Sequence, residues 1–427
     1  MIKSTRFAMT IAITLILTLA SVLFVLNFIS GEKNVERKLT RLYQTQDPQF
    51  HRALGSLLGP GILGGNRAQE LLNGDQIFPA MLAAIRSAEH SITFETYIYW
   101  AGDIGREFAD ALANRARAGV KVHVLLDWVG SSKMDDALLH QMQVAGVDVR
   151  KFHEPAWYNL ARMNNRTHRK ILVVDGKTGF TGGVGIASKW TGSGQDVDHW
   201  RDSHFLIQGP VVAQMQAVFM ENWLKVSGDV MHGEAYFPAL GAAGTSDAQV
   251  FSSSPSGGSE SMQLMYHLSI TAAERSIDLS SAYFVPDDLT SKALLQAVKR
   301  GVKIRIITPG EIIDTETVRA ASRGRWGPLL QAGAEIYEYQ PTMYHCKAMI
   351  VDDLLVSVGS TNFDNRSFRL NDEANLNIFD KVFAARQTQV FDDDLSRSKR
   401  VTFEAWSNRP WQEKLKEYLA SLVEFQL

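Results

Sequence analysis

One short pattern occurs twice in this chain, and the repeat limits what the chain can fold into. Residues 168–175 read HRKILVVD and residues 345–352 read HCKAMIVD, so each copy is His-x-Lys, four residues, then Asp. Each is followed at the same distance by a small-residue turn, GGVG at 182–185 and GSTN at 359–362. The copies lie 177 positions apart in a chain of 427 residues. That arrangement predicts two related halves that build one site between them.

The match extends beyond the motifs. The stretches 84–100 and 269–286 each read as a helix end followed by a strand, with Ile85/Ile270, Ala88/Ala273, Glu89/Glu274, Ser91/Ser276 and Ile92/Ile277 all 185 apart. A helix and a glycine-entered strand follow, RARAGVKVHVLL at 115–126 and AVKRGVKIRIIT at 297–308. Next come AGVDVRKFH at 145–153 and AGAEIYEYQ at 332–340, and then the motif strand. Strands alternating with helices predict an α/β layered fold. The expected organisation is a first domain over 51–240 and a second over 247–427, with the boundary in PALGAAGTS at 238–246.

Residues 7–29 contain no charged side chain. At about 1.5 Å per residue such a helix crosses a hydrocarbon core of about 30 Å. We expect an uncleaved transmembrane anchor within 1–30 and a polar juxtamembrane linker over 31–50. Lys3 and Arg6 precede the apolar run and Lys33, Arg37, Lys38 and Arg41 follow it, which leaves its orientation open. The net charge of −2 supplies no global basic field, so no nucleic-acid partner is expected. The single cysteine, Cys346, excludes an intrachain disulfide. Strand alternation turns it away from His345 and Lys347, as a buried filler.

On a strand, residues i and i+2 share a face, so His168 pairs with Lys170 and His345 with Lys347. Brought together, the two halves give one pocket two imidazoles and two ammonium groups. That set suits a phosphodiester. The lysines offset the phosphoryl oxygens, a neutral His attacks phosphorus, and a protonated His serves the leaving oxygen. No metal or other cofactor is called for. The residues alone do not decide which His is the nucleophile.

At these positions the chain resembles the phospholipase D superfamily, whose signature is His-x-Lys-x4-Asp-x6-Gly-Ser-x-Asn. The second copy fits in full, through His345, Lys347, Asp352, Gly359, Ser360 and Asn362. The first keeps His168, Lys170, Asp175 and Gly182, but has Gly183 for the Ser and Gly185 for the Asn. The resemblance implies two tandem phospholipase D-like α/β/α sandwich domains related by duplication, with the active site in the cleft between them. It implies a phosphohistidine at His168, with His345 as general acid and then base. It places Asp202 of HWRD and Glu373 of NDEAN as acidic partners of the catalytic histidines. Asn362, Ser360 and Gly183 fall at the phosphate, and Asp175 and Asp352 brace their motifs.

Within the superfamily, FETYIYWAGDIGREFADAL, GVKVHVLLDW, WRDSHFLIQGPVV, YFVPDD and SFRLNDEANL resemble the cardiolipin synthase branch. The implied activity is a phosphatidyltransferase of phospholipid biosynthesis that makes cardiolipin from phosphatidylglycerol and releases glycerol. The implied location is the bacterial inner membrane, through a single span. Members of that branch carry a two-helix anchor, and this chain has one apolar run. Hydrolysis of phospholipids is the alternative, and a nuclease of the same superfamily is a third reading.

Three features stay open. The segment 154–166 lengthens the lead into the first motif and carries Trp157, Tyr158, Leu160 and Met163, which suit either a bilayer or the domain surface. SSSPSGG at 252–258 is either part of the pocket wall or a plain loop. WQEKLKEYLASLVEF at 411–425 places Leu415, Tyr418, Leu419 and Leu422 at helical spacing, and core packing is the expected use.

Overall fold

The computed structural model describes residues 2–26, 35–155, 164–255, 257–258 and 260–426. Trp157, Tyr158, Leu160 and Met163 of the extra segment lie outside them.

Ser91–Thr96 is buried along its length, with Ile92 and Phe94 on one face and Thr93 and Glu95 on the other, as a central strand covered on both sides. It pairs in parallel with Lys121–Asp127, which pairs in parallel with Asp148–Phe152. Parallel neighbours need crossovers, and the helices Asp103–Arg117 and Asp136–Val144 supply them. On the other side of Ser91–Thr96 the sheet runs antiparallel through Ile171–Val174, Thr178–Gly182, Ser203–Gln208 and Leu63–Leu72.

The second half repeats this order. Ser276–Ser281 is flanked in parallel by Lys303–Pro309 and then Glu335–Tyr339. It is flanked antiparallel by Lys347–Val351, Leu355–Gly359, Asn371–Phe379 and Ser246–Ser253. The duplicated α/β architecture is therefore present element by element. The two sheets meet edge to edge, with Leu63 opposite Ala248 and Asn66 opposite Ser246.

The motif strands start later than the sequence suggests, at Ile171 and at Lys347. The residues before them turn to the opposite half. Arg166 and Thr167 lie parallel to Asn371 and Asp372, and Tyr344 bridges Arg201. His168 N–H donates to the Asp372 carbonyl at 2.9 Å, and His345 N–H donates to the Arg201 carbonyl at 2.8 Å. Each motif is thus hooked onto the residue that precedes the other half's assigned acid, Glu373 or Asp202.

Two ion pairs reinforce the crossing, one buried and one with an exposed lysine. Arg201 pairs with Asp394 at 2.8 Å, and Asp372 pairs with Lys225 at 2.9 Å. Lys225 and Asp394 each occupy the fourteenth position of their helices, Val212–Ser227 and Lys381–Ser396. The polarity is reversed between the two pairs, so the halves are complementary to each other rather than to themselves.

Three sequence expectations need correction. Residues 51–58, placed in the first domain, belong to the helix Pro48–Leu57 and its cap, and Phe50, Leu54 and Leu58 pack in the second half's core with Phe251 and Met262. From residue 39 the expected linker is attached too: Leu39 and Tyr43 pack on that core, and the Thr45 hydroxyl donates to Asp352 at 2.5 Å. Apolar side chains at 39, 43, 50 and 54 carry the chain across that surface. The C-terminal helix Trp411–Ser421 buries Glu417 and Ala420, while Leu415, Tyr418, Leu419 and Leu422 are 48%, 63%, 55% and 57% exposed. It is oriented by ion pairs: Arg409 Nε lies 2.9 Å from Glu417, and Arg323 lies 3.2 Å from Glu413. These hold its polar face inward.

Candidate active site

Both histidines, with Lys170 and Asn362, line one cleft of about 840 Å³ between the halves. Lys347 is buried beside them, its Nζ donating to the His345 carbonyl at 2.8 Å. Lys170 Nζ does the same to the His168 carbonyl at 2.7 Å. The shared face expected for each His–Lys pair is therefore kept, although the strand begins later.

The acids are exchanged between halves. His168 Nδ1 lies 3.0 Å from both carboxylate oxygens of Glu373, and His345 Nδ1 lies 2.7 Å from Asp202 Oδ2. A carboxylate on Nδ1 fixes the ring and leaves Nε2 for chemistry. The backbone hooks explain the exchange. Holding His168 N–H on the Asp372 carbonyl brings the next residue, Glu373, onto its ring, and the Arg201 carbonyl does the same for Asp202 and His345.

The two carboxylates are supported differently. Ser360 Oγ donates to Glu373 Oε2 at 2.5 Å and Asn371 Nδ2 donates to Oε1 at 3.2 Å. Asp202 instead accepts from the Ser203 N–H at 2.8 Å and from Trp190 Nε1 at 2.9 Å. This accounts for the broken first signature. A Cβ at Gly183 would lie 2.2 Å from Asp202 Oδ1, so the Asp202 carboxylate occupies the space of the missing side chain. At Gly185 a Cβ would meet Ile98 at 2.7 Å. Asn362, its counterpart, is buried with an unpartnered Oδ1 at the cleft.

Asp175 and Asp352 lie off the cleft. Each takes φ +53° at the end of its strand. Asp175 Oδ1 accepts from the N–H groups of His90 at 2.7 Å and Ser91 at 2.9 Å. Asp352 Oδ1 accepts from those of Arg275 at 2.7 Å and Ser276 at 3.1 Å. Both tie a motif strand to its central neighbour.

Electrostatics separates the histidines. Burial, with Lys170, Lys347 and His345 close by, holds His168 well below the usual imidazole range. Burial and Lys347 also lower His345, but Asp202 opposes them. Burial works against the charge on Asp202, yet His345 and Lys347 outweigh it and keep its carboxyl below the ordinary range. Burial raises Glu373, against the pull of Lys170. Burial lowers Lys170 to about 7.

Sequence reasoning missed the aromatic wall. Trp190 and Trp200 sit 5.3 and 5.5 Å from the His345 ring, and Tyr97 sits 5.2 Å from His168. Trp200 stands inside HWRD, next to the assigned acid, which was the available signal. Arg166, Arg366 and Asp314 also line the cleft and carry no motif of their own. Ser252 and Ser253 belong to a strand, and Ser254, Gly257 and Gly258 line a hollow on a different surface.

This geometry defines a two-histidine phosphodiester site of the phospholipase D type. The chain belongs to the family described as cardiolipin synthase, PLD-like domain, which it matches over residues 81–223 and 267–395. It is a phospholipase D-superfamily phosphatidyltransferase. It is 32% identical over 392 residues to cardiolipin synthase 2 of Bacillus anthracis, covering 91% of this chain and 76% of that one. It is 34% identical over 356 residues to a cardiolipin synthase of Geobacillus kaustophilus, covering 83% and 71%. The crystal structure of phosphatidylserine synthase from Haemophilus influenzae superposes with a TM-score of 0.65 at 14% identity, over 89% of this chain and all of that one, which bears on the fold alone.

Proposed function

We propose that the protein makes cardiolipin by transferring a phosphatidyl group between two phosphatidylglycerol molecules through a phosphohistidine on His168. The observation that carries this reading is the exchanged pairing. Each imidazole has its Nδ1 on the other half's carboxylate, which turns Nε2 away from that acid, and Lys347 Nζ lies 3.3 Å from His345 Nε2. His168, held neutral, is suited to attack. His345, beside an ionised Asp202, is suited to hold a proton.

In the first step His168 Nε2 bonds to phosphorus, the bond from phosphorus to the glycerol oxygen breaks, and His345 donates its proton to that oxygen. Glycerol leaves. In the second step a hydroxyl of another phosphatidylglycerol gives its proton to His345 and attacks phosphorus. The phosphorus–nitrogen bond breaks, and both histidines return to their starting state. Lys170 and Lys347 offset the phosphoryl charge, and Asn362 has an amide directed at the cleft. Asp202 and Glu373 orient the rings, while Asp175 and Asp352 fix the strands that carry them.

Cleft size agrees with lipid headgroups, since about 840 Å³ accommodates two glycerophosphate groups while their acyl chains stay outside. The helix Thr5–Leu26, with mean hydropathy 2.6 and no buried residue, is long and apolar enough to cross a bilayer. We assign it as a single span in the bacterial inner membrane.

The test uses the full chain in liposomes with labelled phosphatidylglycerol. Cardiolipin and free glycerol in equal amounts are expected. Phosphatidic acid alone would make the protein a hydrolase, and no turnover would contradict both readings.

A further inference from the structure

We infer that the C-terminal helix Trp411–Ser421 lies in the lipid interface and seats the mouth of the cleft on the bilayer. The inference rests on the lipid-substrate reading above and adds a docking surface to it.

The helix is built the wrong way round for a water-soluble surface. Its inner face carries Glu417 and Ala420, and Ala420 packs in the small cluster of Val285, Val318 and Ala321. Its outer face carries Trp411 at 68% exposure with Leu415, Tyr418, Leu419 and Leu422. At 3.6 residues per turn these five side chains fall within an arc of about 100°. Lys414 and Lys416 are exposed and lie on opposite flanks of that arc, about 40° and 60° beyond its edges. An apolar stripe with an aromatic residue at its start and a lysine on either side fits the boundary between acyl chains and anionic headgroups. Isolated exposed apolar residues are ordinary, whereas a continuous face of this kind is not.

Position identifies the occupant. Gln426, just past the helix, lines the cleft, and its carbonyl accepts from Arg366 Nε at 2.9 Å. The end of the helix is also wired to the point where the chain arrives from the apolar span. Val35 N–H donates to Gln263 at 3.3 Å, and Gln263 Nε2 donates to Asp287 at 2.8 Å. The next residue, Asp288, is held by Arg325 Nη1 at 2.7 Å, and Arg325 Nε holds Glu424 at 2.9 Å. The eight residues 27–34 bridge at most about 30 Å whatever their conformation. Val35, where the chain arrives from the apolar span, the end of the apolar-faced helix and the cleft mouth are therefore joined by one run of contacts on the second half. A bilayer meets all three, because a membrane substrate must enter where the chain itself enters.

Cys346 is buried, so a cysteine introduced by Leu419→Cys is the accessible thiol for an environment-sensitive fluorophore. In the full chain reconstituted into phosphatidylglycerol vesicles, we expect blue-shifted emission and quenching by spin-labelled lipid. Emission typical of water, quenched by iodide and not by the lipid label, overturns the inference. This readout needs no turnover, so a wild-type protein inert on phosphatidylglycerol counts against the lipid-transfer reading alone. A second variant, L415S/L419S/L422S, changes only exposed side chains. It is expected to lose at least about tenfold turnover on vesicles while staying within about twofold of wild type on monomeric short-chain phosphatidylglycerol. Equal rates on vesicles, or equal losses on both substrates, overturn it.

Discussion

His345 Nδ1 and Asp202 Oδ2 lie 2.7 Å apart although 143 residues separate them. Each contributes to the other's state. The carboxylate opposes the lowering of the imidazole pKa, and the imidazole helps keep the carboxylate ionised inside the protein. The pair bridges the two halves of a duplicated chain, so neither half alone has a complete proton-transfer group.

Asp202→Asn keeps the shape of this contact and removes its charge. His345 then holds a proton less readily, and kcat should fall by about 10²–10⁴-fold, with the pH at which the general acid fails moving to lower values. Steady-state rates across pH would register this. A variant with an unshifted profile would show that Asp202 serves packing only.

Lys170 sets the alkaline limit. Burial lowers its ammonium to about 7, so the proton is present below that pH and lost as pH rises through it. The fall in kcat/KM should begin near neutrality rather than near the ~10.4 of a free lysine. Lys170→Arg keeps its charge at higher pH and should move the limb upward, at a lower maximum. A wild-type profile flat to pH 9 would remove Lys170 from phosphate binding.

The glycine in the first signature is a requirement of the site. Gly183→Ser restores the residue found at Ser360, yet its Cβ would fall 2.2 Å from Asp202 Oδ1. Turnover should drop at least about 100-fold as Asp202 is displaced. Ser360→Gly deletes one hydrogen bond to Glu373 and should cost about tenfold or less. Comparison of kcat for the two variants decides the point, and a fully active Gly183→Ser protein would contradict this geometry.

Much of this site was legible because the motif repeats. Local alternation placed His and Lys on one face, and resemblance located Asp202 and Glu373. The exchange of acids was not legible. It follows from His168 and His345 donating their N–H groups across the halves, a contact between residues about 140 to 200 positions apart that no local pattern encodes. The same limit hid Phe50 and Leu54, whose helix joins the more distant core. Leu415, Tyr418, Leu419 and Leu422 show the converse: the periodicity was right, but a period says nothing about which face meets protein.

The Arg201–Asp394 pair tests the interlock between the halves. Both side chains are buried, and Asp394 takes Arg201 Nε and Nη2 at 2.9 and 2.8 Å. Asp394→Ala leaves Arg201 without its counter-charge and should destabilise the fold by about 3–5 kcal/mol. Asp148→Ala, which breaks an exposed pair with Arg150, should cost about 0–1 kcal/mol. Denaturant unfolding distinguishes them, and equal costs would show that Arg201–Asp394 does not hold the halves together.

The most direct test of the account is covalent trapping. His345→Ala and His168→Ala proteins would be incubated with labelled phosphatidylglycerol, quenched, and weighed intact by mass spectrometry. A phosphatidyl adduct on the His345→Ala protein, with none on His168→Ala and steady turnover abolished in both, is the predicted result. An adduct on the His168→Ala protein, or near wild-type turnover in either variant, would contradict it.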